Sequence, residues 1–282
     1  MKKNSYLLLL LFVAMLISCE SSVEKPALAL LEKARSEYAA GNYNKARLII
    51  DSISLVHPKA YKTRRDAELL RREVMLDEKK RDVAFYEEAL VSLNAQRDSL
   101  VQNLSYSKDA RFQDTGVYSA PSQAMSLNPF NSFLRATVRE NGDTYITSFY
   151  RGKRISHKSV RVSSGDNFVS CSEPFLNRSY KEMGVYNERV DFKYGADGGI
   201  MDFIASSAGP LNVKLEGSNG SMEYTLRHDD VLAITQMLEL SNVLRTIEET
   251  KKMGEEAKRA LDFLTVSQER SRNAREKESE EK

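Results

Sequence analysis

Residues able to do chemistry are few in this chain, and they stand apart. The histidines are His57, His157 and His228, and none has a second His or a Cys at metal-ligand spacing. His57 precedes Pro58, His157 lies in a polar stretch beside Lys158, and His228-Asp229-Asp230 stands where a helical pattern begins. Helix capping explains these two acids without a metal, because Asp is a preferred cap residue. Ser163-Ser164-Gly165 and Ser206-Ser207-Ala208-Gly209 read as turns, and neither makes the Gly-x-Ser-x-Gly elbow that exposes a nucleophile. Gly195-Ala196-Asp197-Gly198-Gly199 lacks the Lys-Ser/Thr pair of a phosphate loop and the alternating acids of a calcium loop, and no helical pattern follows it. Glu188, Asp191 and Asp202 are acids of the kind that sugar hydrolysis needs as a pair, but every half-exposed sheet carries such acids. Tyr145, Phe149, Tyr150, Phe168, Tyr186, Phe192 and Tyr194 suit a sugar-stacking platform in part, and more simply the core of a β region. These residues amount to no catalytic set and no cofactor motif, so the reading is of a protein that binds and is not an enzyme.

The amino terminus carries a different kind of chemistry. Lys2 and Lys3 precede an apolar run from Leu7 to Ile17, followed by Ser18-Cys19. Two cations, an apolar run and a small residue before a junction are the parts of a secretory signal. A helix of eleven residues spans about 16 Å against a hydrocarbon core of about 30 Å, too short for a stable transmembrane span. Leu16-Ile17-Ser18-Cys19 resembles the lipobox of bacterial lipoproteins. The resemblance implies that the thiol of Cys19 is acylated with diacylglycerol, that cleavage leaves Cys19 as the first residue, and that a further acyl chain such as palmitate follows. It places the protein in the bacterial cell envelope, with the outer membrane favoured and the face open. Ser21 to Pro26 then reads as a polar tether.

The chain has 42 basic and 40 acidic residues; loss of Lys2 and Lys3 with the signal leaves 40 and 40. Net neutrality argues against a global electrostatic grip on nucleic acid or anionic lipid. With Cys19 lipidated, Cys171 is the remaining thiol, so no intrachain disulfide forms. Its context, Phe168-Val169-Ser170-Cys171, reads as a strand in which Cys is a small buried hydrophobe.

Stepwise changes in composition divide the rest into elements. From Ala39 to Ala46 the sequence is Ala-Ala-Gly-Asn-Tyr-Asn-Lys-Ala, with Ile50, Ile53 and Pro58 beyond. This resembles the second half of a tetratricopeptide repeat, where a Gly-x-Tyr turn joins antiparallel helices and a small residue, here Ala46, lets them approach. In the first helix, where the repeat favours Trp, Leu, Gly and Tyr, this chain has Leu30, Lys33, Ala34 and Glu37; Ala34 keeps the small residue, while Lys33 and Glu37 depart from the pattern. No second copy is evident, and about three repeats are needed to bury their faces. That favours a hairpin packed on the next long helix over a peptide-binding groove.

Ala60 to Leu104 contains neither Gly nor Pro and reads as one helix. Leu69, Leu76, Val83, Leu90, Arg97 and Leu104 repeat at seven, with Arg72, Lys79, Tyr86, Leu93 and Leu100 at the complementary position. From Asp229, a plausible N-cap, a second helix carries Leu240, Ile247, Gly254 and Leu261 with Val243, Thr250, Ala257 and Leu264. Gly254 and Ala257 allow a neighbouring helix to come close. The basic run through Arg64-Arg65, Arg71-Arg72 and Lys79-Lys80-Arg81 is interleaved with acids and reads as a solvated face.

Between these helices lie alternating segments with turn signals. Leu134 to Arg139 and Thr144 to Tyr150 flank Asn141-Gly142, which predicts a type I′ hairpin. Lys158 to Val162 and Asn167 to Cys171 flank Ser164-Gly165, and further strands are expected at Val190 to Tyr194, Ile200 to Ala205, Val213 to Leu215 and Met222 to Leu226.

The expected fold is α+β. Signal 1–18 and tether 19–26 precede a helical hairpin with a long helix over 27–107. An antiparallel β domain of about eight strands, sandwich or partly open barrel, covers 108–228. A helix over 229–266 pairs back as a coiled-coil-like stalk, and a charged tail over 267–282 is frayed or disordered. The expected function is a non-catalytic adaptor with a protein partner in the envelope and membrane attachment through Cys19. A glycan-binding β head is the alternative; no cofactor, metal or nucleic acid is expected.

Overall fold

The computed structural model describes residues 23–128 and 131–280. The chain is α+β, with five helices and ten strands among the described residues. It divides into two compact units: residues up to Glu87 with those from Lys252, and Glu88–Lys251. Two long helices, α3 (Tyr61–Val101) and α5 (His228–Glu280), contribute to both.

In the helical unit, α1 (23–39) and α2 (Tyr43–Val56) form a hairpin. The turn closes because Gly41 takes φ +76, freeing Gly41 N–H to reach Tyr38 O (2.9 Å) and Asn42 N–H to reach Glu37 O (2.9 Å). Those two bonds satisfy the orphan carbonyls of the helix end. Ala27, Leu31 and Ala34 of α1 meet Ala46, Ile50 and Ile53 of α2, and Ala60 just before α3 with Ala67, Leu70 and Val74 in its first turns completes this core. Helix α1 begins at residue 23 instead of after a tether ending at Pro26. Pro26 is tolerated because the first four N–H groups of a helix have no intrahelical acceptor. Glu24 then serves a second helix: its carboxylate accepts from Lys62 N–H (3.2 Å) and Thr63 N–H (3.1 Å) at the start of α3.

The remaining face of α3 is the heptad seam. Every a and d position from Leu69 to Leu104 is half-buried, including the polar interruptions Arg72, Lys79 and Arg97. Helix α5 answers it antiparallel. Within the helical unit Arg72 donates to Ser271 Oγ (3.2 Å), and a Cβ on Gly254 would lie 3.3 Å from Tyr86 Cβ. Within the β unit Gln236 Nε2 donates to Leu100 O (3.2 Å). Helix α5 runs to Glu280, so the charged segment after 266 is a helical continuation, supported by Arg272–Glu276 at one-turn spacing.

The β unit holds two antiparallel sheets. One has the order β1 (Ser105–Ser107), β2 (Val117–Ser119), β3 (Phe133–Arg139), β4 (Thr144–Gly152), β8 (Val185–Lys193), β7 (Leu176–Glu182). The other runs β10 (Gly220–Thr225), β9 (Asn212–Gly217), β5 (His157–Ser164), β6 (Asn167–Cys171). Leu134, Ala136, Ile146, Val190 and Phe192 of the first sheet share one core with Val160, Val162, Val213 and Leu215 of the second. Ile234, Met237, Leu240 and Leu244 of α5 enter the same core, so a helix is part of it.

Three local expectations change. Strands β1, β2 and β7 were not legible because they are short or polar and alternate no apolar face. Ile200–Ser206 is a helix, α4, not a strand: Ile200, Met201 and Ile204 are buried at helical spacing, and Asp197 accepts from Met201 N–H (3.1 Å) to start it. A helical segment therefore does follow Gly195–Gly199. The β3–β4 loop is three residues, not a two-residue type I′ turn. Arg139 N–H meets Asp143 O (2.8 Å), Gly142 alone takes positive φ, and Asn141 Oδ1 accepts from Asp143 N–H (3.0 Å).

Candidate functional site

Two polar constellations arise in the β unit from residues far apart in sequence. The first lies inside the core. Ser148 on β4, His157 at the start of β5 and Glu188 on β8 are 0%, 0% and 3% exposed. His157 Nδ1 is 2.8 Å from Glu188 Oε2 and Nε2 is 3.1 Å from Ser148 Oγ. This is the order of a serine-histidine-acid relay. The burial argues against catalytic use, since a nucleophile needs an approach for its substrate and the hydroxyl here has none. The carboxylate of Glu188 also accepts the N–H groups of Ile155 (3.0 Å), Ser156 (2.8 Å) and His157 (2.8 Å), so it satisfies the turn into β5, where Ser156 takes a left-handed φ of 56°. Burial pushes the His157 imidazole below its ordinary pKa, against the pull of Glu188. Burial pushes the Glu188 carboxyl up, and the donors from His157, Ser156 and Ile155 outweigh it and hold the group below its usual value.

The second constellation is on the outer face of the six-stranded sheet. Pairing aligns Phe133, Phe149, Arg189 and Arg178 across β3, β4, β8 and β7, with Arg151, Asn187 and Tyr180 in the next row. Arg135 pairs across to Thr147 and Asp191 on the other side of that row. Directly paired residues share a face, so the pleat collects four arginines that the sequence disperses over 55 positions. With Met125, Asn128 and Asn131 from the preceding loop they line a cavity of about 370 Å³, closed by Tyr150 and Glu188.

The guanidiniums of Arg135 and Arg189 lie over the Phe149 ring, 4.9 and 5.7 Å from its centroid. Arg189 Nε reaches both oxygens of Asp191 (3.0 and 3.1 Å), which also accepts from Thr147. Burial and the neighbouring Arg189 charge lower the pKa of Arg135, partly opposed by Asp191. Arg135 Nε and Asn187 Nδ2 are buried and have no hydrogen-bond partner among the described residues. Arg178 makes no ion pair among them, and Tyr180 is 58% exposed at the rim. Such a pocket is suited to an anion. Guanidinium forks match carboxylate, sulfate or phosphate oxygens, and the rings offer a stacking surface.

The loop beside the pocket is held by a buried network. Gln123, 0% exposed, donates to Leu134 O (2.9 Å) and accepts from Ala136 N–H (3.3 Å), filling the β3 edge that β2 leaves open. It also donates to Asp230 Oδ1 (3.0 Å), which Arg227 grips, and Arg227 Nη1 donates to Asn128 Oδ1 (2.8 Å). Asp230 thus anchors the loop, and α5 begins at His228, one residue before the expected cap.

The other sequence candidates do not converge. Glu188 and Asp191 point to opposite faces of β8, and Asp202 meets Tyr194 (3.4 Å). No group of three metal-ligating side chains exists among the described residues. Tyr150 and Phe192 are buried in the core as expected, Phe149 is covered on the outer face by the pocket arginines, and Phe168 is 56% exposed beneath Arg161. Cys171 is free and buried, its thiol 3.1 Å from Ala196 O. Cys19 lies outside the described residues. No described helix is long and apolar enough to cross a membrane. The arginine cluster was missed by sequence reasoning: Arg135, Arg151, Arg178 and Arg189 stand on four different strands, and their shared face shows only once register is known.

No family model, curated protein or solved structure is significantly similar to this chain.

Proposed function

We propose that this chain is a lipid-anchored, non-catalytic binding protein of the bacterial envelope, and that its β unit receives an anionic ligand in the arginine pocket. The anchor rests on Leu16-Ile17-Ser18-Cys19. The ligand class rests on one observation: Arg135, Arg151, Arg178 and Arg189 line one cavity, with Asp191 engaged by Arg189 and no ion pair made by Arg178 among the described residues. Guanidinium forks match the oxygens of carboxylate, sulfate or phosphate, so the pocket is read as receiving an anion. The size suits a small molecule or the end of a glycan, and exposed Tyr180 beside the arginines favours an acidic sugar ring.

An adaptor for an acidic protein segment is the second reading. It is favoured by β7, an edge strand exposed along nearly its whole length, to which an extended segment can add. Calorimetric titration with uronic acid oligosaccharides, sulfated sugars and acidic peptides separates the readings. Arg135→Gln and Arg178→Gln are each expected to weaken the true ligand by tenfold or more while the neutral analogue binds to neither protein. A wild-type protein that binds no anion, or an Arg178→Gln protein that binds as well as wild type, overturns the pocket reading. For the anchor, Cys19→Ala is expected to abolish labelled palmitate incorporation and membrane partitioning; retention of both sinks it.

A further inference from the structure

We propose that the end of the helical unit formed by the α2–α3 connection rests on an anionic lipid surface. Three observations converge there. The first is charge. Between Asp51 and Asp66 the chain carries Lys59, Lys62, Arg64 and Arg65 and no acid, although the whole protein is nearly neutral. Among the described residues Lys59, Lys62 and Arg65 form no ion pair: Asp51 and Glu68 are engaged by Arg71 (3.7 and 3.8 Å), and Glu24, the acid that reaches this end from α1, is taken up by the N–H groups of Lys62 and Thr63 (3.2 and 3.1 Å). The second is apolar exposure. Leu55, Val56 and Tyr61 are 81%, 62% and 73% exposed within this short segment. Leu55 and Tyr61 border, with Arg64 and Arg65, a groove of about 580 Å³ between α2 and α3. Cations around protruding apolar side chains are the composition of an interfacial membrane contact.

The third is position. Glu24, in the first turn of α1, accepts from the backbone of Lys62 and Thr63, so the start of α1 touches this same end. From Cys19 to Val23 the chain reaches at most about 14 Å. An acyl group on Cys19 therefore holds this end of the helical unit within about 14 Å of its attachment to the bilayer. This step rests on the anchor proposed above; the charge and the exposed side chains do not. The local patch also answers the argument from neutral net charge, which speaks of the whole surface and not of one end.

The test removes the anchor. The mature chain carrying Cys19→Ser is sedimented with vesicles of phosphatidylcholine alone or mixed equally with phosphatidylglycerol. Binding to the mixed vesicles only is expected. Lys59→Gln/Lys62→Gln/Arg65→Gln is expected to weaken it about a hundredfold, at about fivefold per cation. Leu55→Ser/Tyr61→Ser should weaken it tenfold or more, and the control Lys258→Gln/Arg259→Gln on α5 should leave it unchanged. Thermal melts confirm that each variant is folded. Equal sedimentation with both vesicles, a control that loses as much as the triple variant, or a soluble dimer dispersed by Leu55→Ser overturns the proposal. Palmitate labelling of Cys19 reads the anchor alone. A labelled protein whose unacylated form ignores the mixed vesicles loses this proposal and keeps the anchor; an unlabelled protein that still binds them does the reverse.

Discussion

The helical unit and the β unit solve opposite problems with their polar groups. In the helical unit most charges stay near water: Lys45–Glu37, Lys80–Asp77 and Arg272–Glu276 are ion pairs with at least one well-exposed partner, Glu78 paired with Arg47 is the buried exception, and apolar contacts carry the packing. In the β unit charges are taken inside. Glu188, Asp191, Asp230 and His157 are all buried and each is held by several donors or partners. The difference follows from topology. Away from its ends a helix satisfies its own backbone, so few side chains need to, Glu24 at the start of α3 being one that does. A sheet with a short neighbour at β2 and a bulge between His157 and Ser159 leaves backbone groups that only side chains reach, and Gln123 and Glu188 fill those places. Buried polar groups should thus dominate the stability of one unit and hardly matter in the other.

Removing Glu188 is the severest way to break this contrast. Glu188→Ala strands three backbone donors and the His157 ring, and is expected to cost about 3–5 kcal/mol, read by denaturant unfolding of the β unit. Should the loss stay below about 1 kcal/mol, the buried network is not what holds the turn into β5. Gln123→Ala opens the β3 edge and frees Asp230 of one partner, for an expected loss of about 1–3 kcal/mol. In the helical unit the corresponding damage comes from packing. Gly254→Leu meets Tyr86 and should cost about 1–3 kcal/mol, whereas Gly254→Ala, gaining helix propensity of about 1 kcal/mol against a tight contact, should be near neutral. Equal tolerance of Ala and Leu would mean that α3 and α5 do not approach there.

Acid sharpens the comparison. The folded pKa of His157 is lowered, so its contribution is full above the unfolded value of 6.5 and is lost as pH falls from there towards the folded pKa. Glu188, also lowered, contributes fully above 4.5 and loses it as pH falls through its folded pKa. Both signs agree: unfolding monitored between pH 8 and pH 5 should show the β unit weakening below about pH 6.5, with His157→Gln flattening that part of the profile. A His157→Gln profile as steep as wild type assigns the slope to other groups. The smallest effect belongs to the surface. Lys251→Ala, which removes an exposed pair with Glu248, should leave the melting temperature unchanged within error.

These contrasts track what was legible in the residues. The helical positions were legible because a period of seven needs no knowledge of the partner: the a and d set of α3 is half-buried throughout, that of α5 is buried or half-buried, and Gly41 and Ala46 stand where the hairpin turns and closes. The core strands β3, β4, β5 and β8 were legible by alternation. Polar β7 was not, since exposed strands have no face to alternate, and α4 was misread because seven apolar-rich residues fit either period.

By itself the sequence determined the α+β class, the two long helices and the hairpin, since these rest on local periods and on turn residues. It also set the lipobox-like motif at Cys19, a linear pattern of four residues. The tertiary structure alone decided which polar residues meet. Arg135, Arg178 and Arg189 share one cavity because β3, β4, β8 and β7 fix their register, and Ser148, His157 and Glu188 meet because two sheets close on one core. Register is a relation between strands distant in the chain, and a shift of one residue would send every one of these side chains to the opposite face.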